Sequence, residues 1–248
     1  MQTSVSYKIG QYNLTVDFRF LIVFLLVQLG LNELGFWQIS RAQEKQKILN
    51  KLANSDVLVL TSLKLVNREQ VDNFAKVQLN TSLMMPKNLL IESKIQNGKL
   101  GYHVLNLLKD ESSNKIFLVN RGWVEGKANR QELPYVRLPA NAWQVKGRLY
   151  QINPGVLSSK AEIENHGKIL RLPILDSHTL ELLAAHFKLP IEPYILRLDS
   201  DGSDVYEVDW EWVSMKPEKH LGYAFQWFAL SLTFLLASLY VLVKKNDD

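Results

Sequence analysis

Between Leu221 and Val243 the chain has no charged residue. At 1.5 Å rise per residue, roughly 20 apolar residues cross the ~30 Å hydrocarbon layer of a membrane. The run is long enough, and Lys244 and Lys245 close it with a basic stop. A single segment in hydrocarbon satisfies its own backbone donors and acceptors only as a helix, so a transmembrane helix is predicted over 220–243. A second apolar run, Phe20 to Val27, follows Arg19. It would suit the core of a secretion signal, but no small-residue cleavage site follows, and bulky or polar residues continue through Trp37 and Gln38. It reads as an uncleaved signal anchor, a first transmembrane helix over 18–37 that runs on, or restarts, as an amphipathic helix to about Ala53.

Both spans carry polar residues. Gln28 and Asn32 are four apart and share a helix face with Gly35. Polar side chains in a span turn toward a partner helix or a cavity, and Gln226 of the second span is the expected partner. His220, Tyr223, Ala224 and Trp227 fall at helical spacing on one face. One reading is an aromatic belt with a histidine at the water line. The other is a ligand site in which His220 offers a ring nitrogen to a metal or a haem iron. As an interfacial residue, His220 is expected to have little packing to lose.

The residues between the spans change character. FAKVQL, NLLIESKI, YHVLNLL, KIFLVNRGWV, WQVKGRLY, KILRLPI and PYILRLD are short, rich in β-branched and aromatic residues, and punctuated by Gly, Asn and Pro. SHTLELLAAHF reads as a helix capped by Ser177 with Glu181 in its first turns. The predicted fold is therefore an integral membrane protein. Two transmembrane helices flank an α+β, mainly antiparallel and barrel-like, extramembrane domain over 38–219, with short tails at 1–17 and 244–248.

Composition excludes several classes. With no cysteine there is no disulfide, thiolate metal site or redox dithiol. The charge of +4 comes from interspersed residues with no long basic run, so no nucleic-acid partner is expected. His103, His166, His178 and His186 are scattered and read as surface or packing residues. No phosphate loop, nucleophile elbow or dinucleotide fingerprint is present, and no enzyme activity is expected. Arg41, Lys45, Lys47 and Lys51 read first as a solvated helix face.

The densest motif is KIFLVNRGWVEG, Lys115 to Gly126, where an apolar strand runs directly into Asn120, Arg121, Gly122 and Trp123. Arg121 could clamp a carboxylate, from a neighbouring acid or a ligand. Gly122 permits a backbone geometry that other residues resist. NRGW resembles the central signature of the Surfeit-locus family of cytochrome c oxidase assembly proteins. HLGYAFQWFA at the second span is similar to that family's second transmembrane signature. Leu34, Gly35, Trp37, Gln38, Arg41 and Lys45 match its first, while LGYHVLNLL and VKGRL resemble two of its strands.

The resemblance implies a bacterial assembly factor for haem–copper cytochrome c oxidase that binds haem a and aids its insertion into the catalytic subunit. The chain would sit in the inner membrane with both termini cytoplasmic and the central domain in the periplasm. His220 would be the axial ligand, Tyr223 and Trp227 the surface for the macrocycle, and Trp37 and Arg41 the nearby contacts from the first helix. Partners would be the oxidase catalytic subunit, the bilayer and the enzymes that make haem a. The competing expectation is a membrane scaffold that holds the nascent subunit and never touches haem. Under it, Gln28, Asn32 and Gln226 pair helices and His220 is an interface residue.

Overall fold

A computed structural model of the chain describes residues 4–9, 12–54, 59–72, 74–129, 132–152 and 162–245, with side chains described between 18 and 242. In chain order the elements are β1 (Ser4–Ile9), β2 (Tyr12–Asp17), α1 (Phe18–Asn54), β3 (Val59–Leu60), a 3-10 turn at Leu63–Leu65 and α2 (Arg68–Asp72). Next come β4 (Lys76–Leu83), β5 (Asn88–Gln96), β6 (Lys99–Asp110), β7 (Ile116–Glu125) and β8 (Ala142–Gln151). The chain ends with β9 (Glu164–His166), β10 (Ile169–Leu172), α3 (Ser177–Phe187), β11 (Ile191–Leu198), α4 (Pro217–Leu242) and β12 (Val243–Lys245). Two compact units result, one of residues 1–50 with 212–248 and the other of residues 51–211.

The first unit is a helix pair. α1 is unbroken over its 37 residues, about 55 Å at 1.5 Å per residue. α4 has 26 residues. Both are long and apolar enough to cross a membrane, and only 6% and 11% of their apolar windows are buried. A core helix of a soluble protein would hide that surface. The face that α4 does bury is Pro217, His220, Ala224, Ser231 and Ser238, and α1 buries Gly35 and Ala42. Small residues let the backbones approach. A Cβ on Gly35 would lie 2.6 Å from the Phe228 ring, so that site admits only glycine without a shift. Phe24 stacks on Phe234 at 5.6 Å, and Phe36 meets Phe228 edge-on at 5.3 Å.

Two details differ from the sequence reading. Gln28 donates to Ser231 Oγ at 2.6 Å, whereas Gln226, the expected partner, is exposed. Gln226 lies on the opposite side of α4 from Ser231, five residues earlier, and five residues is nearly one and a half turns. The tail read at 1–17 contains β1 and β2, an antiparallel hairpin joined by β12. Its alternation of Val5, Tyr7 and Ile9 with polar residues is a strand pattern.

The second unit is built on a closed barrel. β4 pairs with β8, β8 with β11, β11 with β7, β7 with β6, and β6 returns to β4. Within the barrel only the β7–β11 pair is parallel. Counted along the chain these are the first, fourth, fifth, third and second barrel strands, the Greek-key connectivity of an OB-type barrel. β6 is long enough to serve two sheets: Leu108–Asp110 closes the barrel, and its earlier half pairs with β5, which carries β10 and β9 outward. All seven segments predicted as strands are strands.

Leu79, Phe117, Val119, Trp143, Val145, Leu149 and Leu196 belong to the cluster that fills the barrel. Leu89, Leu105, Leu107, Leu118, Leu170 and Leu183 form a second cluster between the outer face and α3. β7 feeds both clusters alternately, which is why IFLV carries no polar residue. The predicted helix is α3, but its cap is Asp176, whose carboxylate accepts from Thr179 N at 2.8 Å. Ser177 is its first helical residue.

Candidate functional site

α4 opens with Pro217, whose missing N–H costs nothing at a helix start, and Glu218, whose charge complements the first turn. His220 follows in that turn and turns toward α1. It is 8% exposed, not the loosely packed boundary residue that its position predicts. Its Nδ1 lies 2.7 Å from Gln38 Oε1. A carbonyl oxygen only accepts, so Nδ1 carries the hydrogen and Nε2 keeps its lone pair. Nε2 is buried with no hydrogen-bond partner. Among the described residues the other such atoms are Gln28 Oε1, Thr179 Oγ1, Tyr194 OH and Arg171 Nε, the last in an ion pair with Glu92. Only His220 offers a lone-pair nitrogen. A histidine whose Nδ1–H is held by a carbonyl while Nε2 keeps an unpaired lone pair has the hydrogen-bond arrangement of a metal-ligating imidazole.

In the sequence Gln38 is legible only as part of the motif around Trp37, not as a site residue. A boundary glutamine paired with a histidine far along the chain leaves no periodicity signal. Of the expected site residues, Trp37 and Arg41 come together on α1, with the guanidinium 5.6 Å above the ring. Trp37 is 50% exposed. Arg41 also donates to Glu44 at 2.6 Å, and Lys45 lies 3.4 Å from the same carboxylate. Glu44 therefore holds both cations in the helix face. Tyr223 is 45% exposed and Trp227 half-buried, one and two turns beyond His220.

The NRGW motif forms a knot in the β-domain. Arg121 is 1% exposed and is the largest fully buried side chain among the described residues. Its Nε donates to Asp204 O at 2.7 Å, and its Nη1 donates to Asn106 Oδ1 at 3.1 Å and Arg137 O at 3.0 Å. The Asp204 carboxylate is 3.7 Å from Nη2, and the Tyr206 ring lies 5.0 Å from the guanidinium. The arginine thus ties three segments together, mostly through carbonyls, and does not clamp an acid bidentately. Gly122 has φ of 110°, and a Cβ there would lie 2.6 Å from Glu207 O. That closeness lets Trp123 N donate to Glu207 O at 2.8 Å. Trp123 Nε1 donates to Lys94 O at 2.9 Å. Asn120 Oδ1 accepts from Gly122 N, which points its amide nitrogen at His103 Nδ1, 3.3 Å away.

The chain is similar in sequence to known proteins. A SURF1-like protein of Rickettsia felis is 24% identical, covering 91% of this chain and 96% of its own length. A SURF1-like protein of Rickettsia prowazekii is 22% identical, covering 94% and 91%. The family model described as the SURF1 family matches residues 25–232, from inside α1 to inside α4 and across the whole barrel. On that match the chain belongs to the SURF1 family, whose members are assembly factors and not known enzymes, and membership fits a role in cytochrome oxidase assembly.

Proposed function

We propose that this protein serves haem–copper cytochrome c oxidase by holding haem a transiently at His220 and passing it to the catalytic subunit. The reading rests on one observation: a buried imidazole whose Nδ1–H is taken by Gln38 and whose Nε2 has no partner. Bound there, haem would supply an iron that accepts a neutral nitrogen ligand. Gln38 fixes the tautomer and the ring orientation, a positioning role that raises the basicity of Nε2. Tyr223 and Trp227 extend the apolar surface from His220 along α4. Trp37 and Arg41 present an aromatic face and a cation on α1, and Arg41 would have to leave Glu44 to meet a ligand carboxylate.

Both helices span the inner membrane in this reading, with the β-domain in the periplasm. The supporting feature is the pair of apolar helices with little of their surface buried. Holding the nascent subunit without haem is the second reading. The exposed Gln226 favours it, because an amide in hydrocarbon seeks a partner helix.

Producing the protein with and without a haem a pathway and recording visible spectra of the purified product separates the two. The haem reading expects a Soret band and a stoichiometric haem a content only when the pathway is present. A colourless product from the loaded cells would leave the scaffold reading.

A further inference from the structure

Two cavities open on the β-domain, of about 530 and 230 Å³. Lys94, His103 and Arg197 line both and so stand at the threshold between them. The smaller cavity is otherwise walled by Ile91, Ile152, Ile174, Leu175 and Ile195, with Tyr150 and Asn120, and among the described residues no carboxylate lines it. Asp209 and Glu211, both exposed, line only the larger. An apolar pocket with a few convergent polar groups is the usual form of a small-ligand site.

The backbone is bent to make this place. β5 breaks register between Ile91 and Lys94, β6 between His103 and Leu105, and β11 between Ile191 and Ile195. Each irregularity lies beside a cavity-lining residue, and such bulges re-aim side chains. Ser93, just before Lys94, has φ of 56°, a conformation that a non-glycine residue adopts at a cost. Trp123 holds the Lys94 carbonyl. Because Asn120 donates to His103 Nδ1, the histidine carries its hydrogen on Nε2 and is a neutral donor. The Arg197 guanidinium lies 3.7 Å from the centre of the Tyr150 ring and 5.4 Å from that of Trp210. Thus two cations and a donor face a wall of isoleucine and leucine.

We propose that this cleft binds a small carboxylate carrying an aliphatic chain, with the head at Lys94, Arg197 and His103 and the chain in the pocket lined by Ile91, Ile152 and Ile174. The site is independent of the haem reading. Burial and the nearby charge of Arg197 hold the Lys94 ammonium below its usual range. Burial, Lys94 and Arg197 push His103 down to about 4. A bound carboxylate opposes the two charge effects, so binding should raise the pKa of His103.

The test uses the full chain in nanodiscs of neutral phosphatidylcholine, labelled at the histidine rings. His103 is assigned by His103→Gln, and its titration is followed with octanoate, acetate and octylamine as probes. Octanoate should raise the His103 pKa by a unit or more and saturate, acetate should do so only at much higher concentration, and octylamine should not. Lys94→Gln, at a half-buried position that keeps a polar side chain, and Ile174→Glu, at an exposed one, should each weaken octanoate at least tenfold while the protein keeps its thermal transition. No saturable octanoate shift, an equal response to octylamine, or unaltered binding in both variants would overturn the proposal.

Discussion

Arg121 and His220 are both almost fully buried, and their polar atoms are used differently. The guanidinium spends its donors on two backbone carbonyls and an asparagine within the β-domain. Removing it leaves a buried asparagine oxygen and two partly buried carbonyls without their donor, so Arg121→Ala should cost about 3 kcal/mol or more and lower the melting temperature and abundance. Arg121→Lys should recover only part, since an ammonium lacks the planar fork. A normal melting temperature in Arg121→Ala would show that the knot is not structural. His103 gives a prediction in pH. Its folded pKa of about 4 lies below the ordinary histidine value near 6.5, so the unfolded chain takes up its proton first. Its burial therefore carries no penalty above about pH 6.5, and stability falls as pH drops toward 4, by at most about 3 kcal/mol. His103→Gln should flatten that slope in denaturant titrations at pH 7 and pH 5. An unchanged slope would mean that His103 is charged in the fold.

At the scale of elements, the two apolar helices and all seven strand segments could be read from the sequence because their signals are periodic and local. The helix contacts were less legible. Which residue meets Gln28 depends on the rotation of α4, set by the small faces of Ala224 and Ser231, whereas polarity alone points to Gln226. Likewise Ser177 and Asp176 are both good caps, and only the backbone turn decides between them. Barrel closure depends on the far end of β6 returning to β4, which no local pattern carries. At the candidate site, His220 stood out from its place at the head of an uncharged run. Gln38 and the unpartnered Nε2 depend on packing between segments far apart in the chain. Gly35 gives the test of the helix pair. Gln28→Cys with Ser231→Cys, in a chain without other cysteines, should be joined by a short bifunctional thiol reagent. Adding Gly35→Leu should suppress the cross-link, because the new side chain collides with Phe228. Equal cross-linking would mean that the helices do not depend on that close contact.

For the whole molecule, the proposed arrangement puts Met1 and Asp248 on one side of the membrane and Trp123 on the other. Protease added outside spheroplasts should cut the β-domain and spare a tag after Asp248, and loss of that tag from outside would reverse the arrangement. The central claim is that His220 Nε2 is an unpartnered ligand held in place by Gln38. It is tested most directly by the visible spectrum and haem a content of His220→Ala and Gln38→Leu, purified from cells that make haem a. His220 is buried, so folding of each variant is first checked by its thermal transition. His220→Ala should lose most of its haem and shift the Soret band of the remainder, and Gln38→Leu should keep haem with weaker retention. A folded His220→Ala protein with full haem content and an unaltered Soret band would contradict the account.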